Sequence, residues 1–102
     1  MFAAIDLGSN SFRMHIGTHD GEAMRIVKTS RDQIRLAGGL DANGNLTESA
    51  ISAALTSLAG FGQTMRNYPL TAARVVGTNT LRVAKNTAQL LPLAEKAIGY
   101  PI

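Results

Sequence analysis

The chain has 102 residues, of which 45% are hydrophobic and 17% are charged, so it can form one domain with a modest core and is not expected to be disordered. It contains no cysteine, which excludes a disulfide framework and a thiolate metal site and suits a cytoplasmic protein. The net charge of +3 favours an anionic partner and is equally compatible with an ordinary solvated surface.

The amino terminus does not have the composition of a targeting segment. No basic residue precedes Asp6, and Asp6 interrupts the first apolar run, so a signal peptide is not expected. No apolar stretch approaches the ~20 residues that a membrane span requires. We therefore expect no membrane partner.

The first thirty residues predict three consecutive antiparallel strands. Residues 3–7 form a short apolar run that stops at Gly8, which is typical of a buried strand. In the next segment apolar residues alternate with other side chains, which indicates a half-buried strand; they are Phe12, Met14 and Ile16. Asp20 and Gly21 predict a hairpin turn. Residues 22–30 follow as a third strand with weaker alternation.

The middle of the chain predicts a loop followed by one long helix. Residues 31–46 are rich in turn formers, and Thr47 is a suitable N-cap. Apolar residues then recur at spacings of three and four, which match a helix; they are Ile51, Leu55, Leu58, Phe61 and Met65. Gly60 and Gly62 should weaken this helix by roughly 1 kcal/mol each. Tyr68-Pro69 ends it.

The last third predicts a strand and two helices. Residues 72–76 form the fourth strand, 77–80 a second strand-to-helix turn, and 81–85 a short helix. Residues 87–98 form another helix, which Pro92 should kink or cause to start later. Gly99 suits the position after that helix. The order is β-β-β-α-β-α-α in an α/β fold, and because residues 101–102 look like the start of another strand, we expect part of a longer protein.

The turn after the first strand is the strongest candidate for chemistry. A carboxylate, Asp6, precedes Gly8, and the polar residues Ser9, Asn10 and Ser11 follow. Glycine permits close approach of a ligand, and successive backbone amides in a turn can form a concavity for an anion. An aspartate beside bound phosphate is a natural partner for Mg²⁺. The alternative is a plain hairpin turn, since these residues are common in turns.

Two arginines extend this hypothesis. Arg13 lies on the strand face opposite Phe12 and Met14, where it could reach the same pocket as Asp6 or point into solvent. Arg82 follows the second turn, where it could bind phosphate oxygens or lie exposed on a helix. His15 and His19 have no metal-ligand spacing, and no nucleophile motif is present. Aromatic residues are few, at 5%, so no nucleic-acid partner is expected.

Three segments together resemble the exopolyphosphatase/guanosine pentaphosphate phosphohydrolase (Ppx/GppA phosphatase) family. Residues 3–12 read AAIDLGSNSF and are similar to the family's opening phosphate motif. Residues 34–40 read IRLAGGL and resemble its arginine-leucine-glycine segment. Residues 75–86 read VVGTNTLRVAKN and resemble its second signature. The three matches occur in the family's order and extend across essentially the whole chain.

The resemblance implies a fold, an activity and a set of site residues. The fold is the first half-domain, residues 1–102, of an actin/Hsp70/sugar-kinase-like (ribonuclease H-like) ATPase domain with a mixed sheet, cut before its last strand. The activity is Mg²⁺-dependent removal of the terminal phosphate of inorganic polyphosphate or the 5′ γ-phosphate of guanosine pentaphosphate. Asp6 would lie near the metal. The implied phosphate-binding residues are Gly8, Ser9, Asn10, Ser11, Arg13, Thr78 and Arg82.

The same resemblance places the catalytic base outside this sequence. The family's general-base glutamate is expected downstream of Ile102, so no catalytic residue is assigned here and the chain alone is expected to be inactive. The whole protein is expected to be a homodimer. The alternatives are a sugar or acetate kinase of the same fold, which the second signature disfavours, and a non-catalytic sensor of polyphosphate or a guanosine nucleotide.

Overall fold

The computed structural model describes residues 1–21, 23–77 and 84–102. Its regular elements are β1 (Phe2–Leu7), β2 (Ser11–Asp20), β3 (Ala23–Gln33), α1 (Glu48–Met65), β4 (Ala72–Gly77) and α2 (Thr87–Ile98). The sheet order is β3-β2-β1-β4, with β4 parallel to β1 and the other neighbours antiparallel. This is the mixed sheet, in an α/β fold, that we expect from the sequence.

One face of the sheet forms the core with both helices. On β1 the alternate residues Ala3, Ile5 and Leu7 are buried, and the register sets them beside Ile16, Met14 and Phe12 of β2. The buried hydrophobic residues of both helices belong to the same cluster. Each large side chain buried there contributes about 1.5–3 kcal/mol. We call the opposite side of the sheet the open face.

A β-bulge divides the hairpin formed by β2 and β3. Gly17 pairs with Ile26, but Ile16 pairs with Lys28, so Val27 is the extra residue on β3. Because side chains alternate along a strand, one extra residue reverses the direction of those that follow. Strand β3 lies at the edge of the sheet and is exposed along almost its whole length, which accounts for its weak alternation. It continues to Gln33, three residues beyond its predicted end.

The ends of the two helices follow their capping residues. The Thr47 hydroxyl accepts a hydrogen bond from the amide of Ala50 at 3.2 Å, which confirms the predicted N-cap of α1. Helix α2 begins at Thr87 despite Pro92, so the alternative of a later start is wrong. Pro92 has no N–H to donate, so the carbonyl of Ala88 loses its helical hydrogen bond. Both residues are exposed, so water can solvate that carbonyl. Gly99 ends α2 in the left-handed region at φ 90.

The region expected to be a loop contains some regular structure. A 3-10 turn spans Leu36–Gly39, and Leu40 pairs with Leu46 in an isolated bridge. The side chain of Asn86 accepts from the amide of Leu46 at 2.9 Å and donates to its carbonyl at 3.1 Å, which ties this loop to the start of α2. The short helix predicted over 81–85 falls mainly outside the described residues. No helix in the described part is long and apolar enough to cross a membrane.

Candidate functional site

The turn between β1 and β2 is held from two sides. Inside the turn, the amide of Gly8 donates to the carbonyl of Ser11 at 3.0 Å. From outside, the amides of Ile34 and Arg35 both donate to the carbonyl of Asn10, at 3.0 and 2.9 Å. Backbone hydrogen bonds therefore fix the turn to the end of β3, so that the backbone carrying its polar side chains has a defined position.

A cavity of about 330 Å³ opens beside this turn on the open face. Its lining residues are Asp6, Gly8, Asn10, Ser11, Arg13 and Arg31. Five of these are residues that the sequence singled out for phosphate or metal binding. Ser9 is half-buried in the same turn and is not a lining residue of this cavity.

The charges of the site lie in one row across the sheet. The strand register pairs Asp6 with Arg13, and Arg13 with Arg31. All three side chains are exposed, so they are accessible to a ligand. The row contains one carboxylate and two guanidinium groups. Its net charge is therefore positive, which favours an anion as the ligand. Guanidinium groups bind phosphate oxygens through paired N–H donors.

The second predicted turn begins next to the first. Strand β4 ends at Gly77, whose register partner is Leu7 at the end of β1. Thr78 and Arg82, the phosphate-binding residues predicted for that turn, lie outside the described residues. Their roles stay predictions.

Asp6 fits a role beside Mg²⁺ with substrate phosphates completing the site. In the part of the chain that the structure describes, no three His, Cys, Asp or Glu side chains come together as a metal site. Mg²⁺ commonly uses one or two carboxylates, several waters and substrate phosphate oxygens. The exposed Asp6 carboxylate at the cavity can supply such a ligand once a phosphate group is present.

Arg31 is the lining residue that the sequence reasoning did not assign to the site. Its Nε donates to the hydroxyl of Ser11 at 3.2 Å. In a hairpin without a bulge, Arg31 would lie opposite Phe12 and point to the core face. The bulge at Val27 turns Arg31 to the open face instead. The alternation of apolar and polar residues in the sequence does not indicate this change.

The fold is that of an actin-like half-domain. The solved structure of the Ppx/GppA enzyme of Aquifex aeolicus superposes with a TM-score of 0.90 at 24% identity, over 98% of this chain and 33% of that one. The chain belongs to the Ppx/GppA phosphatase family, whose model matches residues 15–102.

The curated proteins that are similar to this chain carry two different names. A Haemophilus influenzae protein named "Putative exopolyphosphatase" is 39% identical over 98% of this chain and 31% of its own length. A Vibrio atlanticus protein named guanosine-5′-triphosphate,3′-diphosphate pyrophosphatase is 42% identical over 100% of this chain and 20% of its own length. The chain thus spans a third or less of the relatives it matches.

Proposed function

We propose that this chain forms the phosphate-binding part of a cytoplasmic exopolyphosphatase, which hydrolyses the terminal phosphoanhydride bond of inorganic polyphosphate with Mg²⁺. The observation that carries the proposal is the single cavity shared by Asp6, Asn10, Ser11 and Arg13. Membership of a phosphatase family supports phosphoryl transfer to water as the reaction class.

The residues of the cavity supply binding and charge stabilisation. The side chains of Asn10 and Ser11 donate hydrogen bonds to phosphate oxygens, and Arg13 neutralises their charge. Asp6 would hold Mg²⁺, which would withdraw charge from the phosphate oxygens. A water attacks the terminal phosphorus, the bridging P–O bond breaks, and the shortened chain leaves as an anion. The general base for that water is the glutamate expected downstream of Ile102.

Guanosine pentaphosphate is the alternative substrate. Relatives of both names have nearly the same identity to this chain, 39% and 42%. The cavity residues recognise charge and phosphate oxygens, which the two substrates share. The choice of substrate therefore depends on comparing the two compounds directly.

The test is phosphate release by the full-length natural protein with Mg²⁺, measured as kcat/KM on polyphosphate and on guanosine pentaphosphate. We expect Arg13→Gln to lower kcat/KM by roughly 10²–10³-fold, since it removes a donor to transition-state charge. Asp6→Asn should raise the Mg²⁺ concentration needed for half-maximal rate. The 102-residue chain alone should release no phosphate.

Arg25→Gln is the matched control, because Arg25 is an exposed arginine that pairs with Thr18 at the other end of the hairpin. It should retain the wild-type kcat/KM. The proposal is wrong if the full-length protein hydrolyses neither substrate, or if Arg13→Gln behaves like Arg25→Gln.

A further inference from the structure

Two arginines face each other directly across β2 and β3. The register pairs Arg13 with Arg31, and both line the cavity beside Asp6. Like charges directly opposite on neighbouring strands destabilise a sheet. The repulsion between the two arginines is offset when an anion binds between their guanidinium groups, because each group then gains a charge-assisted hydrogen bond.

The bulge is what creates this pairing. Without Val27 as the extra residue, the register near the hairpin turn would continue, and Ser30 would be the partner of Arg13. Bulges occur next to active sites, where they redirect a side chain. Here the redirected side chain is Arg31, which moves from the core face to the cavity.

Arg31 also determines how the Ser11 hydroxyl can act. Its Nε donates to the Ser11 oxygen at 3.2 Å, and Ser11 is only 7% exposed. A hydroxyl has one donor and two acceptor positions. Since the oxygen already accepts from Arg31, the O–H is directed away from the guanidinium and can be donated to an anion in the cavity.

We infer that Arg31 is a further phosphate-binding and positioning residue of this site, which rests on the proposed function. Its guanidinium binds phosphate oxygens next to Arg13 and holds Ser11 as a donor. The backbones of Arg13 and Arg31 lie about 5 Å apart, so both guanidinium groups can reach one anion. A linear phosphoanhydride presents more charged oxygens to them than a single phosphate does. The ligand chemistry is that of a linear phosphoanhydride.

The test measures binding of tripolyphosphate and of orthophosphate to the full-length natural protein by calorimetry, with a chelator present to prevent turnover. Arg31→Gln should weaken tripolyphosphate binding about 10- to 100-fold, the range for losing hydrogen bonds to a charged group, and weaken orthophosphate binding less. Arg31→Lys keeps the charge but loses the Nε donor and the planar fork, so it should recover only part of the affinity. Arg25→Gln should change the affinity less than twofold.

A double-mutant cycle separates binding from positioning. If Arg31 holds the hydroxyl, Ser11→Ala weakens binding more in the wild type than in Arg31→Gln. Losses that simply multiply overturn the positioning role. Thermal unfolding of each variant shows whether it is folded. If Arg31→Gln does not fold, Arg31→Lys takes its place in the binding test.

The outcomes distinguish this inference from the proposed function. If the wild type turns over polyphosphate while Arg31→Gln binds tripolyphosphate as the wild type does, the inference is wrong and the function stands. Equal losses in Arg31→Gln and Arg25→Gln would also overturn it, since they would reflect net charge alone. A wild type that neither binds tripolyphosphate nor releases phosphate would overturn both.

Discussion

Gly8 lies where the chain leaves β1, and the backbone there leaves no room for a side chain. An added Cβ would lie 2.7 Å from the carbonyl oxygen of Ser11, a main-chain atom that cannot rotate away. The same oxygen accepts the hydrogen bond from the Gly8 amide. Glycine therefore gives the turn the tight closure that sets Asn10 and Ser11 at the cavity.

Gly8→Ala should weaken anion binding more than it disturbs the fold. The backbone has to shift to relieve the contact, and displacing the donors by even a fraction of 1 Å should lower the affinity for tripolyphosphate roughly 10- to 100-fold. Calorimetric titration measures this loss. Gly38→Ala is the matched control, because an added Cβ at Gly38 meets nothing within 4 Å. Wild-type affinity in Gly8→Ala would show that the turn tolerates the shift.

Arg35 shows why part of the site's support escapes sequence reasoning. It has φ 55 and ψ 50, in the left-handed region, which costs a non-glycine residue about 1–3 kcal/mol. Its amide donates to the carbonyl of Asn10, and its own carbonyl accepts from Gly38. These tertiary hydrogen bonds outweigh the local preference of arginine, so the residue type alone does not predict the conformation.

At the scale of elements, the contact between α1 and α2 depends on Gly62. An added Cβ there would lie 2.8 Å from the carbonyl oxygen of Ile98 and 3.1 Å from that of Ala97. The helices therefore approach through backbone atoms at this point. Helix propensity alone makes Gly62 a weak point of α1, whereas the packing makes it the residue that lets α2 approach.

Gly62→Ala and Gly60→Ala should change stability in opposite directions. In Gly60→Ala the new Cβ meets nothing within 4 Å, so the gain in helix propensity should stabilise the protein by about 0.5–1 kcal/mol. In Gly62→Ala the steric overlap should outweigh that gain and destabilise the protein by about 1–3 kcal/mol. Urea unfolding midpoints measure both changes. Equal stabilisation by the two substitutions would contradict the close packing.

Most element boundaries depend on local chemistry that is visible in the sequence. The Thr47 cap, the hairpin turn at Gly21 and the left-handed Gly99 are of this kind, and the structure confirms them. The bulge at Val27 is not visible in the sequence. The β2–β3 hairpin has to satisfy its own turn at one end and the hydrogen bonds to Asn10 at the other, and the extra residue allows both. The extension of β3 and the position of Arg31 follow from that long-range fit.

At the scale of the whole molecule, the site joins parts of the chain that are distant in sequence. Asp6 and Arg13 could be predicted to share a pocket because a strand, a short turn and a strand bring them together. Arg31 comes from the far end of the next strand, and Asp32 beside it accepts a hydrogen bond from Ser57 of α1 at 2.6 Å. The cavity is thus coupled to the sheet and to the helix layer, and its occupation should affect the stability of the domain.

Binding of tripolyphosphate should therefore stabilise the whole domain against heat. A ligand at 100 times its Kd adds about 2.7 kcal/mol to the free energy of unfolding, which corresponds to roughly 10–20 °C in Tm for a domain of this size. The cavity side chains Asp6, Arg13 and Arg31 are exposed, so 1 M NaCl, with a Debye length of about 3 Å, should remove most of the shift. Differential scanning calorimetry measures it, with NaCl of equal ionic strength as the control. The Arg13→Gln, Arg31→Gln double variant should show almost no shift, because stabilisation by a ligand requires the groups that bind it, and an unchanged shift in that variant would place the anion elsewhere.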